Sequence, residues 1–178
     1  MGADDEGARV RTAQTQAYLE FSAARAGHLF RSACLLASGD THLAEDLVQE
    51  TLGRMYVVWG RIAKVDNPAA YAQTVLVRAF LTHRRRSSSR ESPSAELPDR
   101  LAGAGGDTLL RVTLLTALAE LGPKDRAVLV LRYWEDRSIE ETAEVLQTSA
   151  GAVRTRSVRA LSRLRAELGG SLRDLAGQ

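Results

Sequence analysis

The sequence predicts an all-α protein made of two small helical domains joined by a flexible linker. Three observations carry this. Apolar residues recur at helical spacing through residues 17–86 and again through 108–168. Strand-type alternation is hard to find, and only 5% of the residues are aromatic. Between the two blocks lies SSSRESPSAELPDRLAGAGGD, residues 87–107, rich in Ser, Pro and Gly and almost without apolar side chains. No internal repeat relates the halves.

The bulk properties agree with this division. A chain of 178 residues suits one medium domain or two small ones. No apolar run approaches the roughly 18–20 residues that a membrane span needs. The acidic start, MGADDEGARV, does not resemble a secretory signal, and a cytoplasmic protein without membrane insertion is expected. A lone cysteine, Cys34, cannot form an internal disulfide, and no Cys/His cluster has metal-ligand spacing, so neither metal nor cofactor is expected. Net charge is +2, uninformative by itself. Its distribution says more: Lys+Arg against Asp+Glu is 11 to 9 in 1–86, 2 to 4 in 87–107 and 11 to 9 in 108–178. Nearly all the bases are arginine, which suits bidentate contacts to phosphate and guanine. The base composition of a GC-rich genome accounts for that bias more simply than binding does.

In the first half, the pattern predicts a helix over about Ala17–Ser38. Gly39-Asp40-Thr41 follows, a breaker and then an N-cap. The next helix, His42 to about Arg61, has Leu43, Leu47, Thr51, Val58 and Ile62 on its core face. Asp46, Gln49, Gly53 and Tyr56 fall opposite, flanked by Glu50. Charges there are ordinarily a solvated face. Gly and Tyr do not help to solvate a helix, so the stripe is also a candidate partner-binding face. After Lys64-Val65-Asp66-Asn67, Pro68 opens a third helix, a position where proline is well tolerated. Its middle, Val75 to Leu81, is apolar nearly all round, and its length of about 18 residues without glycine decides against a strand. It ends in His83-Arg84-Arg85-Arg86. Cations favour a helix C-terminus through the macrodipole. Three consecutive arginines exceed that need, so phosphate contact is the second reading.

The second half opens with a helix from about Thr108 to Leu121, broken by Gly122-Pro123, and another running to about Trp134. Ser138 then caps a short helix, with Glu141 completing a capping box. Ile139, Ala143 and Leu146 share one face, and Ala143 is small enough for a close helix crossing. Gln147-Thr148-Ser149 is a three-residue turn. The following helix buries Val153, Ser157, Ala160, Leu161 and Leu164. Between Ala150 and Arg165 it holds five arginines and no acid, while the preceding helix holds Glu140, Glu141 and Glu144 and no base. That polarity fits a helix-turn-helix with its second helix in a DNA groove. Arginine can fork onto guanine, and Thr155 or an exposed Val158 can meet a thymine methyl. A generic amphipathic bundle would not segregate charge in this way.

Four segments resemble a known family, the bacterial RNA polymerase sigma factors. LAEDLVQETL at 43–52 resembles their AEDLVQETF segment, and NPAAY at 67–71 their NPxAWL segment. LAELGPKDRAVL at 118–129 resembles ALxxLPxxxRxVLxLR, and SIEETAEVLQTSAGAVRTRSVRA at 138–160 resembles SxxEIAxxLxxSxGTVxSRxxRA. The two-domain order is that of the extracytoplasmic-function (ECF) group, and the chain is most similar to its actinobacterial sigma-E type. The resemblance covers about residues 20–165. It implies sigma region 2 over 17–86, a linker over 87–107 threading the polymerase toward the RNA exit, and sigma region 4 over 108–168.

The resemblance also implies roles. Asp46, Leu47, Gln49, Glu50 and Gly53 would dock on the clamp of the polymerase core. Arg61, Lys64, Asn67, Arg78, Arg84 and Arg85 would bind and open the −10 element, contacting single-stranded DNA. Arg154, Thr155, Val158, Arg159 and Arg163 would read the −35 element as duplex. An anti-sigma factor gripping both domains is the expected inhibitor. Departures from the pattern are Tyr71 in place of Trp, Arg78 in place of Asn, and Gln147 in place of Gly. Arg78 would either alter −10 preference or pair with a buried acid, and Gln147 should make the turn more demanding. Other readings are a free-standing transcription regulator, which leaves the Asp46 stripe unexplained, and an enzyme. Against an enzyme, His28, His42 and His83 are scattered and no P-loop, GxSxG or HExxH is present.

Overall fold

A computed structural model describes residues 3–88 and 106–176, with side chains over 12–88 and 108–170. Among the described residues, seven α-helices follow in order: α1 (Ala3–Leu36), α2 (Thr41–Ile62), α3 (Pro68–Ser88), α4 (Gly106–Ala119), α5 (Pro123–Leu129), α6 (Ile139–Leu146) and α7 (Ala150–Ala176). A π-helical turn, Val130–Trp134, continues α5. No strand occurs among the described residues. The expected linker lies outside them, except for its ends, which belong to α3 and α4.

Most helix boundaries follow local chemistry. Asp40 caps α2 by accepting from the Leu43 N–H at 3.0 Å. Before it, Ser38 and Gly39 take positive φ, 55° and 90°, and the Gly39 N–H reaches back to the Cys34 carbonyl. Asn67 Oδ1 accepts from the Ala70 N–H at 2.9 Å and so caps α3, with Pro68 first in the helix. Two helices run further than their apolar pattern: α1 begins at Ala3, not near Ala17, and α7 continues past Arg165 to Ala176. Ala-, Gln-, Glu- and Arg-rich stretches without proline favour helix even where there is little apolar surface to bury.

Helices α1, α2 and α3 pack around Leu29, Leu36, Leu47, Met55, Leu76 and Phe80. On α2 the buried face is wider than the pattern suggested, because Met55 and Trp59 are buried with it. Tyr18, Phe21 and Trp59 meet in an aromatic cluster between α1 and α2, and the Tyr18 hydroxyl donates to the Leu52 carbonyl at 2.8 Å. Burial, and then Tyr56, raise the Tyr18 pKa. In the second half, Leu118, Leu121, Leu129 and Ala160 form a smaller core flanked by Leu114, Leu161 and Leu164.

The halves are not separate bodies. Ala127, Val130, Leu131 and Val145 belong to the same buried cluster as α1–α3, and Leu35 packs against both cores. Fully burying a side chain such as Leu131 contributes roughly 1.5–3 kcal/mol. The second half therefore draws part of its stabilisation from the first.

Candidate nucleic-acid and polymerase interfaces

The helix-turn-helix is assembled from α6 and α7. Ser138 accepts from the Glu141 N–H at 3.0 Å, and Glu141 Oε2 accepts from the Ser138 N–H at 2.7 Å, so the capping box is complete. These backbone and hydroxyl contacts, rather than Arg137, are the main reason the Glu141 pKa is lowered. The turn closes with Gln147 in the left-handed region, φ 53° and ψ 52°. The Gln147 N–H reaches the Glu144 carbonyl and the Thr148 N–H the Ala143 carbonyl, a Schellman arrangement normally completed by glycine. Ser149 Oγ accepts from the Ala152 N–H and starts α7.

On α7, Val153, Ser157 and Ala160 are buried and Leu161 and Leu164 half-buried. The opposite side presents Arg154, Thr155, Val158, Arg159 and Arg163, all exposed, with Val158 at 66%. No ion pair involves Arg154, Arg159 or Arg163 among the described residues, whereas Arg156 is paired to Asp125 Oδ1 at 2.5 Å. Arg156 stands outside the set expected to read the −35 element. Thr155 returns its hydroxyl to the Gly151 carbonyl, which leaves its methyl outward.

The basic residues of the first half are more dispersed. Arg61, Lys64 and Asn67 are exposed around the α2–α3 connection, and Arg84 and Arg85 at the end of α3. The Asn67 carbonyl oxygen is engaged as a helix cap, so its amide NH2 is the part facing outward chemistry. Among the described residues, Arg78 pairs with no acid. Its Nε donates to the Val145 carbonyl at 3.1 Å and Nη2 to the Glu144 carbonyl at 3.3 Å, which ties α3 to the C-terminal end of α6. The expected pairing with a buried carboxylate is thus corrected: helix-end carbonyls, already the negative end of the α6 dipole, take that place.

On α2, Asp46, Gln49, Glu50 and Gly53 form an exposed stripe, continued by Tyr56 and by Val57 at 82% exposure. Glu50 pairs with Arg54 one turn on. Leu47 does not belong to this stripe: it is 1% exposed and forms part of the α1–α3 core, so the expected polymerase contact is corrected to a core residue. It stands one turn after Leu43 and one turn before Thr51, both buried, and the Thr51 hydroxyl bonds the Leu47 carbonyl.

A third group of polar residues was missed entirely. Arg126 is 4% exposed and has no carboxylate partner among the described residues. Its Nη1 donates to the Leu36 carbonyl at 2.7 Å, its Nη2 to those of Leu121 and Ala119, and the guanidinium lies 5.9 Å from the Phe80 ring centre. Burial, and secondarily Arg84, lower its pKa to about 10. Glu135, with a side chain 3% exposed, receives His28, Ser32 and Gln73 from α1 and α3. Trp134 stacks on His28 and donates to Ser32 Oγ. These residues are distant in sequence, so no local periodicity marks them.

Residues 23–90 match the family model "Sigma-70 region 2", and residues 117–166 match "Sigma-70, region 4". An RNA polymerase sigma-E factor of Streptomyces antibioticus is 41% identical over 74% of this chain and 73% of its own length. The chain belongs to the sigma-70 family. It is a sigma factor, a transcription initiation factor of RNA polymerase. It is similar also to the sigma-E factor of Streptomyces coelicolor (38% identical, 84% of each chain) and to the ECF sigma factor ShbA of Streptomyces griseus (33%, 70% and 71%). Among solved structures, the sigma factor RpoE of Bartonella quintana, crystallised with the anti-sigma factor NepR, shares the fold (TM-score 0.68, 22% identity, 86% of this chain and 98% of that one). No described helix of this sigma factor is long and apolar enough to cross a membrane.

Proposed function

We propose that this sigma factor, of the ECF sigma-E type, carries the polymerase core to its promoters through three surfaces and performs no catalysis itself. The α2 stripe of Asp46, Gln49, Glu50 and Gly53 docks on the clamp. Arg61, Lys64, Asn67, Arg84 and Arg85, joined by Arg78 when it is released from α6, bind the −10 element as its strands part. Cations along a single strand and a pocket for an unstacked base are what that step requires. Arg154, Thr155, Val158, Arg159 and Arg163 read the −35 duplex. Region 2 occupies 17–86 and region 4 occupies 108–168, joined by 87–107. The protein works in the cytoplasm, and an anti-sigma factor holds it inactive by gripping both regions.

One observation carries the reading best: an acid-free row of unpaired arginines around an exposed valine, on a helix held from behind by a fully capped support helix. The charge attracts duplex phosphate, and the valine has no use on a solvated face but suits a thymine methyl. The test is initiation in vitro with purified core polymerase and a promoter library. Promoter-selective transcripts that depend on the added chain are expected. Absence of core binding and of selective transcripts would overturn the reading in favour of a free-standing DNA-binding regulator.

A further inference from the structure

The end of α3 carries a run that promoter binding does not exhaust. Arg84-Arg85-Arg86 is followed at once by Ser87-Ser88-Ser89 and then Arg90. Arg84, Arg85, Arg86 and Ser88 are exposed, and among the described residues neither Arg84 nor Arg85 has an ion pair. The local field is positive enough to be felt in the core: burial and, after it, Arg84 lower the pKa of the Arg126 guanidinium. An anion placed beside Arg84 would relieve repulsion there.

Ser88 is the hydroxyl best placed to supply that anion. On a helix, residues three and four apart are neighbours, about 5–6 Å between Cβ atoms. Ser88 stands three residues after Arg85 and four after Arg84, and its hydroxyl already lies along that face, donating to the Arg85 carbonyl at 2.9 Å. Ser87 is half-buried and engaged with His83 at 3.3 Å. Ser162 also follows an arginine, Arg159, by three residues, but it sits in the middle of α7, where the backbone is committed to helix. A kinase cleft takes its substrate extended. Ser88 is the last residue of α3, and helix ends fray. Arg86 and Arg85, two and three places before it, are the cations that an acidic kinase cleft reads.

We infer that Ser88 is a phosphorylation site for an arginine-directed serine/threonine kinase, and that its phosphate takes Arg84 and Arg85 away from the −10 strand. In the step, Ser88 Oγ attacks the γ-phosphorus of a nucleoside triphosphate. The Oγ–P bond forms as the bond to the bridging oxygen of the β-phosphate breaks. The nucleoside diphosphate leaves, and the hydroxyl proton passes to a kinase carboxylate. The product carries a charge of about −1.5 to −2 at pH 7. A helix C-terminus disfavours such a charge, so the phosphate draws in the two guanidiniums, each able to fork onto it. Both are then occupied and cannot hold promoter phosphates. This rests on the −10 role proposed above for Arg84 and Arg85.

The experiment uses the full-length chain. Wild type and Ser88→Ala are treated with ATP and the catalytic subunit of the cyclic-AMP-dependent kinase, an arginine-directed enzyme, and the acceptor is mapped by mass spectrometry. Ser88 should be the main acceptor, and its phosphate should be lost in Ser88→Ala. No incorporation, or a main acceptor elsewhere, would overturn the site. Phosphoserine is then encoded at position 88, and that chain is titrated with a fluorescent oligothymidine strand of about 12 nucleotides at about 50 to 200 mM salt. Wild type, Ser88→Ala and Arg84→Ala/Arg85→Ala are titrated beside it, each checked for helix content by circular dichroism. Ser88→Ala should bind as wild type does. Phosphoserine and the double variant should each weaken binding about tenfold at the lower salt and flatten the salt slope by about 1.4, the share of two phosphate contacts on a single strand. Wild-type binding by the phosphoserine chain beside a weakened double variant would refute the switch alone. Wild-type binding by the double variant would refute the strand-binding role of Arg84 and Arg85 itself.

Discussion

Region 2 and region 4 are stabilised by different means. Helices α1–α3 enclose a large apolar core led by Phe80, Leu36, Leu47 and Met55, with little polar chemistry inside it. Helices α4–α7 enclose a small one and add point devices: the Arg126 guanidinium on the Ala119 and Leu121 carbonyls and on the Leu36 carbonyl of α1, the Ser138–Glu141 box and the Gln147 turn. A region with a large core tolerates the loss of one contact. A region held by a few polar joints does not. The difference also suits their proposed tasks, since the α7 face proposed to read DNA stays charged and solvated and contributes nothing to burial.

The largest expected effect tests that contrast directly. Arg126→Ala leaves the Leu36, Ala119 and Leu121 carbonyls without their donor and opens space beside Phe80. A loss of about 3–5 kcal/mol is expected in urea unfolding, from the unmade hydrogen bonds and the cavity together. A loss below about 1 kcal/mol would mean that region 4 does not depend on this joint. At neutral pH the group remains charged, since its lowered pKa of about 10 is still well above 7.

The two proposed DNA surfaces differ in a second way. The α7 arginines converge on one face, whereas Arg84 and Arg85 sit at a helix end beside no base-reading partner. Arg159→Ala should cost about 1–3 kcal/mol on one class of promoter. Arg85→Ala should weaken all promoters evenly and reduce the salt slope by about 1. Footprinting across salt concentrations checks both, and identical behaviour of the two variants would erase the distinction between reading and positioning.

How legible each part was follows from range. Helices, caps and the charge segregation of α6 and α7 are local, repeating every three or four residues, and the sequence showed them. So was the outward position of Val158. Leu47 was assigned to two roles at once because its motif neighbours face outward while its own register faces in. Arg126 and Glu135 were invisible as joints: each looks like an ordinary surface charge beside apolar residues, and its partners lie in another helix. The π turn at Val130–Trp134, which aims Trp134 and Glu135 at α1, has no sequence mark either. Arg78 stood out as a departure, but its partners are backbone carbonyls, which side-chain patterns do not reveal.

A smaller effect separates the support helix from the rest. Ser138→Ala should cost about 1 kcal/mol by removing the α6 N-cap. Glu141 also acquires a pH signature. Its pKa in the folded chain lies below the ordinary 4.5, so the stability it confers is present above about pH 4.5 and is lost as pH falls through the folded value. Ser138→Ala removes the hydroxyl's part of that shift and leaves the larger part, the bond from the backbone N–H of residue 138. The variant should therefore be less stable than wild type at pH 7 and converge toward it in acid. Parallel stability curves across pH 3–7 would show that the hydroxyl is not a source.

The smallest effect has the opposite sign. Gln147 holds φ 53° where a Cβ is crowded against its own backbone, and a glycine would adopt the same angle freely. Gln147→Gly should therefore stabilise the fold by about 0.5–1 kcal/mol, the relief of strain exceeding the extra entropy of an unfolded glycine. Thermal unfolding would register the gain as a rise of a few degrees. The α1–α2 turn offers the same relief at Ser38, φ 55°, whereas its neighbour Gly39 already has it. If Gln147→Gly destabilises instead, the glutamine side chain must make a contribution that outweighs its backbone strain, and the turn would then be a further polar joint of region 4 and not its weak point.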